Sequence, residues 1–428
     1  LGNTWPEELA ARALEACLRG GSAGAEIEEL AELASGADER LAGEASRALF
    51  RGFVEPLADR FDRRLCDAYA AAFSRVIARL CPGWGASELV QRYQRVRRFR
   101  RFDPAGRKPE AVYVLSRVTL GADVAITSVV LDAMKKRFPA AEIYLVGARK
   151  AWELFAGDPR IGHVPADYAR EGTLRERLAA GLALRETLGR DGAIVVDPDS
   201  RLTQLGLLPV CPEEAYYFFE SRAYGGEGTE PLSRLAMRWV AEAFGVTDAL
   251  PYVAPEGSAA SGGPAGIAVS FGVGGNPAKR VPDPFEAWLL GALVKKDLPV
   301  LIDRGAGGEE AERVERAVAA LGRRARKIEL YDGSFAGFAG RIRTSRLYVG
   351  YDSAGQHVAA ACGVALVSVF AGFVCERAFF RWQPRGRGPT AVVRVDQKDP
   401  ERVFERTLAA VGRCLESGWR EHLDFSIR

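Results

Sequence analysis

The sequence predicts two open, doubly wound α/β domains with parallel sheets, preceded by an all-helical segment. Three observations lead there: helical apolar spacing up to about Arg101, alternating strands and helices after Pro109, and a second such series beyond a Pro/Gly/Ser-rich linker. The expected boundaries are 1–108 for the helical domain, 109–255 and 265–400 for two Rossmann-like domains, and 401–428 for a closing helix.

In the prefix the apolar residues recur as Leu9, Leu14, Leu18, then Ile27, Leu30, Leu33, then Leu57, Phe61, Leu65, Tyr69. This is the three-to-four spacing of amphipathic helices. Val112 to Leu115, Ile143 to Val146 and Ile194 to Val196 read as buried strands of the first sheet, with helices near Val124 to Phe138 and Thr173 to Leu188. After the linker Pro255 to Pro264 the strands are Ile267 to Phe271, Val300 to Ile302, Ile328 to Leu330, Leu347 to Val349 and Leu366 to Phe370. The helix from Glu401 to about Leu415 carries Phe404, Leu408, Val411 and Leu415 on one face, and a return to the first Rossmann-like domain is one route open to it.

At 428 residues and 48% hydrophobic content, the chain can fill more than one core. A net charge of +3 excludes a general nucleic-acid binder. Seven scattered cysteines without a C-x-x-C pair suggest neither a disulfide framework nor a zinc site, and a cytoplasmic setting is expected. Leu1 to Trp5 lacks the basic-then-apolar order of a signal peptide, and Gly363, Ser368 and Gly372 divide the uncharged run Val358 to Cys375. One charged feature stands out: Arg92, Arg95, Arg97, Arg98, Arg100 and Arg101, interleaved with Tyr93, Phe99 and Phe102 and followed by Arg107 and Lys108. It reads either as a solvated helix end or as a patch for an acidic acceptor or the inner-membrane surface.

Four loops at strand ends are candidates for chemistry. Tyr351-Asp352-Ser353-Ala354-Gly355-Gln356-His357 joins a strand to an Ala-rich helix, a place where free N–H groups and the helix dipole favour an anion. Asp352 or Ser353 serving only as a helix cap is the plainer alternative. Arg117 to Asp123 ends the first strand; Asp123 either caps a helix or takes a proton from a hydroxyl nucleophile. Gly274, Gly275 and Asn276 lead to Lys279 and Arg280 in a loop suited to phosphate, although Pro277 removes the dinucleotide fingerprint. Asp303 to Glu310 opens a helix where Glu309 or Glu310 would bind ribose or simply favour the helix dipole. Asp197-Pro198-Asp199 has a metal-type D-x-D form, with a helix cap as the competing role, and His163, His357 and His422 have no ligand spacing. No metal and no cofactor are expected.

Together these loops resemble glycosyltransferase family nine, the ADP-heptose:lipopolysaccharide heptosyltransferases of GT-B fold, over roughly Glu110 to Asp396. R-x-S/T-x-x-G-D followed by P-x-A-x-I/V is matched by Arg117, Thr119, Asp123, Pro139, Ala141 and Ile143. K-R/x-W-P is matched by Lys279, Arg280 and Pro282, and D-S/T-G-x-x-H-L-A-A-A-x-G-x-P by Asp352, Ser353, His357, Ala359 to Ala361 and Gly363. Ala122, Ala354, Ala365 and Val281 depart from the pattern. The resemblance implies an inverting, metal-independent transfer of a sugar, heptose in the family, from a nucleoside diphosphate to a hydroxyl of a glycan, glycolipid or protein. It makes Asp123 the general base and Arg117 and Thr119 acceptor-side residues. Lys279, Arg280, Gly274, Gly275 and Asn276 fall to the donor, with Asp352, Ser353, Ala354, Gly355 and His357, and with Glu309 or Glu310 at its ribose. A nucleotide-sugar epimerase or hydrolase, or a noncatalytic nucleotide-binding protein, are the alternatives.

Overall fold

The computed structural model describes residues 5–103, 106, 108–257, 266–305 and 307–424, with side chains up to 416. Arg107, Ala306, the first four residues and most of the predicted linker lie outside the described residues. The first sheet consists of β1 (Ala111–Leu115), β2 (Glu142–Gly147), β3 (Ile161–Pro165), β4 (Ala193–Asp197) and β5 (Tyr216–Phe218). All its pairs are parallel, in the order β3-β2-β1-β4-β5. The second sheet holds β6 (Ile267–Ser270), β7 (Val300–Asp303), β8 (Ile328–Tyr331), β9 (Leu347–Tyr351), β10 (Ala365–Phe370) and β11 (Thr390–Arg394), again parallel, in the order β11-β10-β9-β6-β7-β8. The predicted strands are all present. β3 and β11, which have no long apolar run, and β5, a short buried aromatic strand, are additions at sheet edges.

Because successive strand residues face opposite sides, each sheet needs two apolar covers. In the first sheet Val112, Val114, Ile143, Leu145 and Val196 join a core with the helices Ser128–Arg137 and Leu232–Phe244, through Val130, Met134 and Trp239. The alternate residues Ala111, Tyr113, Leu115, Val146 and Val195 share a second core with Leu49, Phe50, Phe53, Tyr69 and Phe73 of the prefix. The same core holds Leu174, Leu178, Leu184 and Leu188 of the helix Leu174–Leu188, so this helix and the prefix cover that face together. Tyr69 donates to the Gln204 carbonyl at 3.1 Å, and the Arg177 guanidinium lies 3.9 Å from the Phe50 ring.

The arginine cluster belongs to the same joint, which corrects the reading of it as a membrane or acceptor patch. Arg92 is buried, donates to the Gly206 carbonyl at 2.9 Å and covers the Tyr216 ring. Arg97 is held by Asp67 and Glu220, Arg95 by Glu213, and Arg100 lies over Tyr217 at 4.2 Å. Arg98, Phe99 and Arg101 are exposed. Among the described residues no helix is long and apolar enough to cross a membrane.

The closing helix, Pro400–Asp424, also differs from expectation. It stays with the second sheet, where Val403, Val411 and Cys414 pack with Val367, Val369 and Val393. Phe404 and Leu415 lie at the margin of that face. The two domains meet elsewhere: buried Arg381 donates to the carbonyls of Glu230 and Gly226 at 2.7 and 2.8 Å, and Arg377 pairs with Glu227 at 3.0 Å.

If the prefix is a structural layer, Phe50→Ala should cost about 3–5 kcal/mol, the usual price of emptying an aromatic core site. Hydrogen exchange should then show protection falling together in Arg63–Leu80 and in β1, whereas loss confined to the prefix would show it to be a separate unit.

Candidate active-site cleft

In each sheet the chain reverses its winding direction at the first strand, between β1 and β4 and between β6 and β9. Loops leaving the carboxyl ends of strands diverge at such a point and open a crevice. The Asp123 loop follows β1, the Lys279 loop follows β6, and Asp352 follows β9. Topology alone thus brings the three motifs to one edge of each sheet.

The second-domain motifs are in direct contact. The Lys279 ammonium donates to Asp352 Oδ2 at 2.7 Å and to the Asp352 carbonyl at 3.2 Å. The other carboxylate oxygen of Asp352 accepts from Gln356 Nε2 at 2.6 Å, and Gln356 is further fixed by Ser368. Ser353 precedes the helix Ala354–Ala361, but its side chain makes no capping bond. The capping alternative therefore fails for Ser353, and the leading N–H groups of this helix have no side-chain cap to satisfy them. The turn bearing Lys279 is set by the loop after β10: a Cβ on Gly372, whose φ is +66°, would lie 2.2 Å from the Ala278 carbonyl oxygen.

Arg280 does different work from its neighbour. It is bound by Glu286 at 3.1 Å and by Asp283; Glu286 also accepts from Tyr351 at 3.0 Å and pairs with Arg313 at 3.3 Å. Arg280 thus anchors the loop from beneath. Gly274 and Gly275 are exposed, while the Asn276 side chain is spent on the Ala278 N–H at 3.0 Å. Of the two glutamates, Glu309 is exposed and Glu310 is half-buried against Gly272 and Gly305, where a Cβ would run into its side chain.

Across the cleft, Asp123 is fully buried. Ser116 Oγ donates to its Oδ2 at 2.8 Å, and the Arg117 N–H and Thr127 Oγ1 donate to its Oδ1 at 2.7 and 2.8 Å. Burial pushes its carboxyl up to about 6 despite these donors. The helix turn Asp123–Thr127 is π-type, which turns this side chain onto the loop behind it. Asp123 thereby pins Ser116 to Thr119, including Val118 in the left-handed region at φ +74°. In this arrangement all three of its hydrogen-bond donors come from its own loop and helix. Arg117 is likewise engaged, by Ser221 and by the Pro198 carbonyl at 3.1 Å, and Thr119 is half-buried.

The first and third motifs touch across the domains. A Cβ on Gly121 would meet Ala354 Cα and His357 Cδ2, each at 3.3 Å. His357 is buried, lies edge-on to Trp382 at 6.1 Å, and is held down to about 4 by burial, so it is neutral near pH 7. It is a wall of the domain contact. The D-x-D pair is internal: Asp197 is bound by Thr203, Tyr216 and the Ser200 N–H, and Asp199 by Arg222 at 2.9 Å. Among the described residues no group of three or more metal-ligating side chains is present.

Sequence reasoning passed over Ser116, Thr127, Gln356 and Trp382. A small hydroxyl residue at a strand's end, and an amide one helical turn after Asp352, were the available signals.

These two sheets and their facing loops form the GT-B fold. No protein-family model and no curated protein sequence matches the chain. Among solved structures it is similar to Escherichia coli heptosyltransferase WaaC with ADP, at TM-score 0.53 and 14% identity over 72% of this chain and 99% of that one. It is also similar to the family 9 glycosyl transferase of Veillonella parvula, at TM-score 0.54 and 15% identity over 74% and 100% of the two chains. WaaC with ADP-2-deoxy-2-fluoro heptose matches at TM-score 0.52 and 14% identity, over 72% and 99%. The fold is shared.

The raised Asp123 carboxyl has a consequence for stability. Its folded value, about 6, exceeds the ordinary 3.8, so the native state binds the proton first. The stabilisation is complete below the ordinary value and is lost as pH rises through about 6. Asp123→Asn should remove up to about 1.4 kcal/mol per pH unit of slope between those limits, read by denaturant titration across pH 4 to 7. An unchanged slope would contradict the assignment.

Proposed function

We propose that this protein is a glycosyltransferase that moves a sugar from a nucleoside diphosphate donor to a hydroxyl acceptor, with inversion and with no metal required. The observation that carries this reading is Lys279, set beside a helix start without a side-chain cap at the switch point of the second sheet. As the sugar leaves, negative charge develops on the diphosphate. A fixed ammonium and a row of backbone N–H groups stabilise that charge without rearranging. In the free protein Asp352 holds Lys279 in place, and a diphosphate replaces it as the ammonium's partner.

The similar fold of ADP-bound heptosyltransferase structures supports ADP-heptose as the first donor to test, on a glycan, glycolipid or protein acceptor. Glu310 is the better placed of the two acids to receive the ribose, beside the loops after β6 and β7. The buried state of Asp123 favours one competing reading, a protein that binds nucleotide without transferring the sugar.

Calorimetric titration with ADP, UDP and GDP tests the proposal. Binding of one diphosphate is expected, with Lys279→Ala weakening it about ten- to a hundredfold, the loss typical of a charge-assisted hydrogen bond. Failure of all three to bind ends the proposal. Turnover of a donor sugar separates transfer from mere binding.

A further inference from the structure

A buried hydroxyl without a partner lies beneath the proposed phosphate site. Tyr348 stands on β9 and has no exposed surface. Strand alternation puts Tyr348 and Gly350 on one face of the sheet, the face whose core includes Val358 and Ala359 of the helix Ala354–Ala361. Gly350 leaves room there for the tyrosine ring to lie along the strand toward its carboxyl end. A Cβ on Gly350 would stand 2.5 Å from the Tyr348 hydroxyl oxygen, and a Cβ on Gly355, in the first turn of the helix, would run into the same atom. The hydroxyl is thus delivered from inside the sheet to the start of the helix that follows Asp352 and Ser353.

Among the described residues no group stands in bonding geometry to this hydroxyl. A buried polar group left so costs stability, which is recovered when a partner is supplied. Burial pushes its pKa up, with the Ser353 and Ser270 hydroxyls drawing it back, so it keeps its proton and serves as a donor. Ser270 Oγ is already engaged, with Asp303 at 3.4 Å and with the Gly272 N–H at 3.3 Å. Ser353 is not: it is half-buried, its backbone is extended at φ −151°, and its side chain makes no cap on the helix it precedes. The Asp352 carboxylate is taken by Lys279 and Gln356. What this point offers a ligand is therefore a set of donors, which suits the acceptor oxygens of a phosphate.

We infer that Tyr348 is a positioning residue for the nucleoside diphosphate: its hydroxyl donates to Ser353 Oγ, which leaves the Ser353 O–H to donate to a phosphate oxygen. This rests on the proposed donor site and extends it one layer into the sheet. A hydroxyl that accepts one hydrogen bond donates a stronger one, so the buried tyrosine tightens the contact that Ser353 makes. It also holds Ser353 to one orientation, away from capping its own helix.

Calorimetry with ADP, UDP and GDP tests this on the full chain, on Tyr348→Phe, on Ser353→Ala and on the double variant, alongside thermal unfolding of each without nucleotide. Tyr348→Phe keeps the ring and removes only the oxygen. Its affinity for the nucleotide that the wild-type chain binds should fall about three- to tenfold, the worth of one hydrogen bond. Its unfolding temperature without nucleotide should stay level or rise, because the unpaired hydroxyl is gone. A merely structural tyrosine would lower both. Ser353→Ala should lose at least as much affinity, and adding Tyr348→Phe to it should change binding by less than about twofold, since the tyrosine acts through the serine. Wild-type affinity in Tyr348→Phe overturns the inference, as do losses that multiply in the double variant or a fall in unfolding temperature that accompanies the lost binding. A wild-type chain that binds none of the three nucleotides overturns the proposed function and this inference with it. Binding by the wild type that Tyr348→Phe matches overturns this inference alone, so the two failures are distinguishable.

Discussion

A parallel sheet buries both faces, and much of this molecule follows from how the first sheet meets that requirement. One face is closed by helices of its own domain, the other by the helix Leu174–Leu188 together with the prefix, whose Phe50, Phe53, Tyr69 and Phe73 share a core with Tyr113, Leu115 and Val195. Once those rings are seated, the turn from Glu55 to Phe61 is placed at the carboxyl edge of the sheet. The same docking explains why so many arginines collect near Arg92: they close the joint by covering tyrosine rings and pairing with Glu213 and Glu220.

Each Rossmann-like domain carries a buried ionic cluster near its motif loop. Asp199, Arg222 and Arg117 form one; Glu286, Arg280, Arg313 and Tyr351 form the other. Buried pairs add little net stability when desolvation is counted, but they fix where side chains go. The result is a division of labour between adjacent cations. Arg280 is committed to the scaffold, whereas Lys279, 28% exposed, pairs among the described residues with Asp352 alone.

The sheets were legible because strands such as Ala111–Leu115 and Leu347–Tyr351 are buried throughout, so an unbroken apolar run marks them. β3, β5 and β11 were not, because an edge strand needs little apolar content: Ile161–Pro165 contains Gly162, His163 and Pro165 and is largely half-buried. At the site, the meeting of Lys279 with Asp352 followed from strand order and motif position. The occupation of Asp123 by Ser116 and Thr127 did not, because a π turn inside a helix leaves no mark on apolar spacing.

Apart from the Arg377–Glu227 pair, the arginines of the clasp between the domains grip main chain. Arg381 holds the carbonyls of Gly226 and Glu230, and Arg377 that of Phe61. A carbonyl is supplied by whatever residue occupies the position, so substitution in these segments leaves the grip intact. Adding or removing a residue moves the oxygens out of reach. The clasp therefore constrains the length of the loop from Tyr224 to Pro231, and in composition it fixes Gly225, at φ +89° and tight against Leu235, and Glu227, the partner of Arg377.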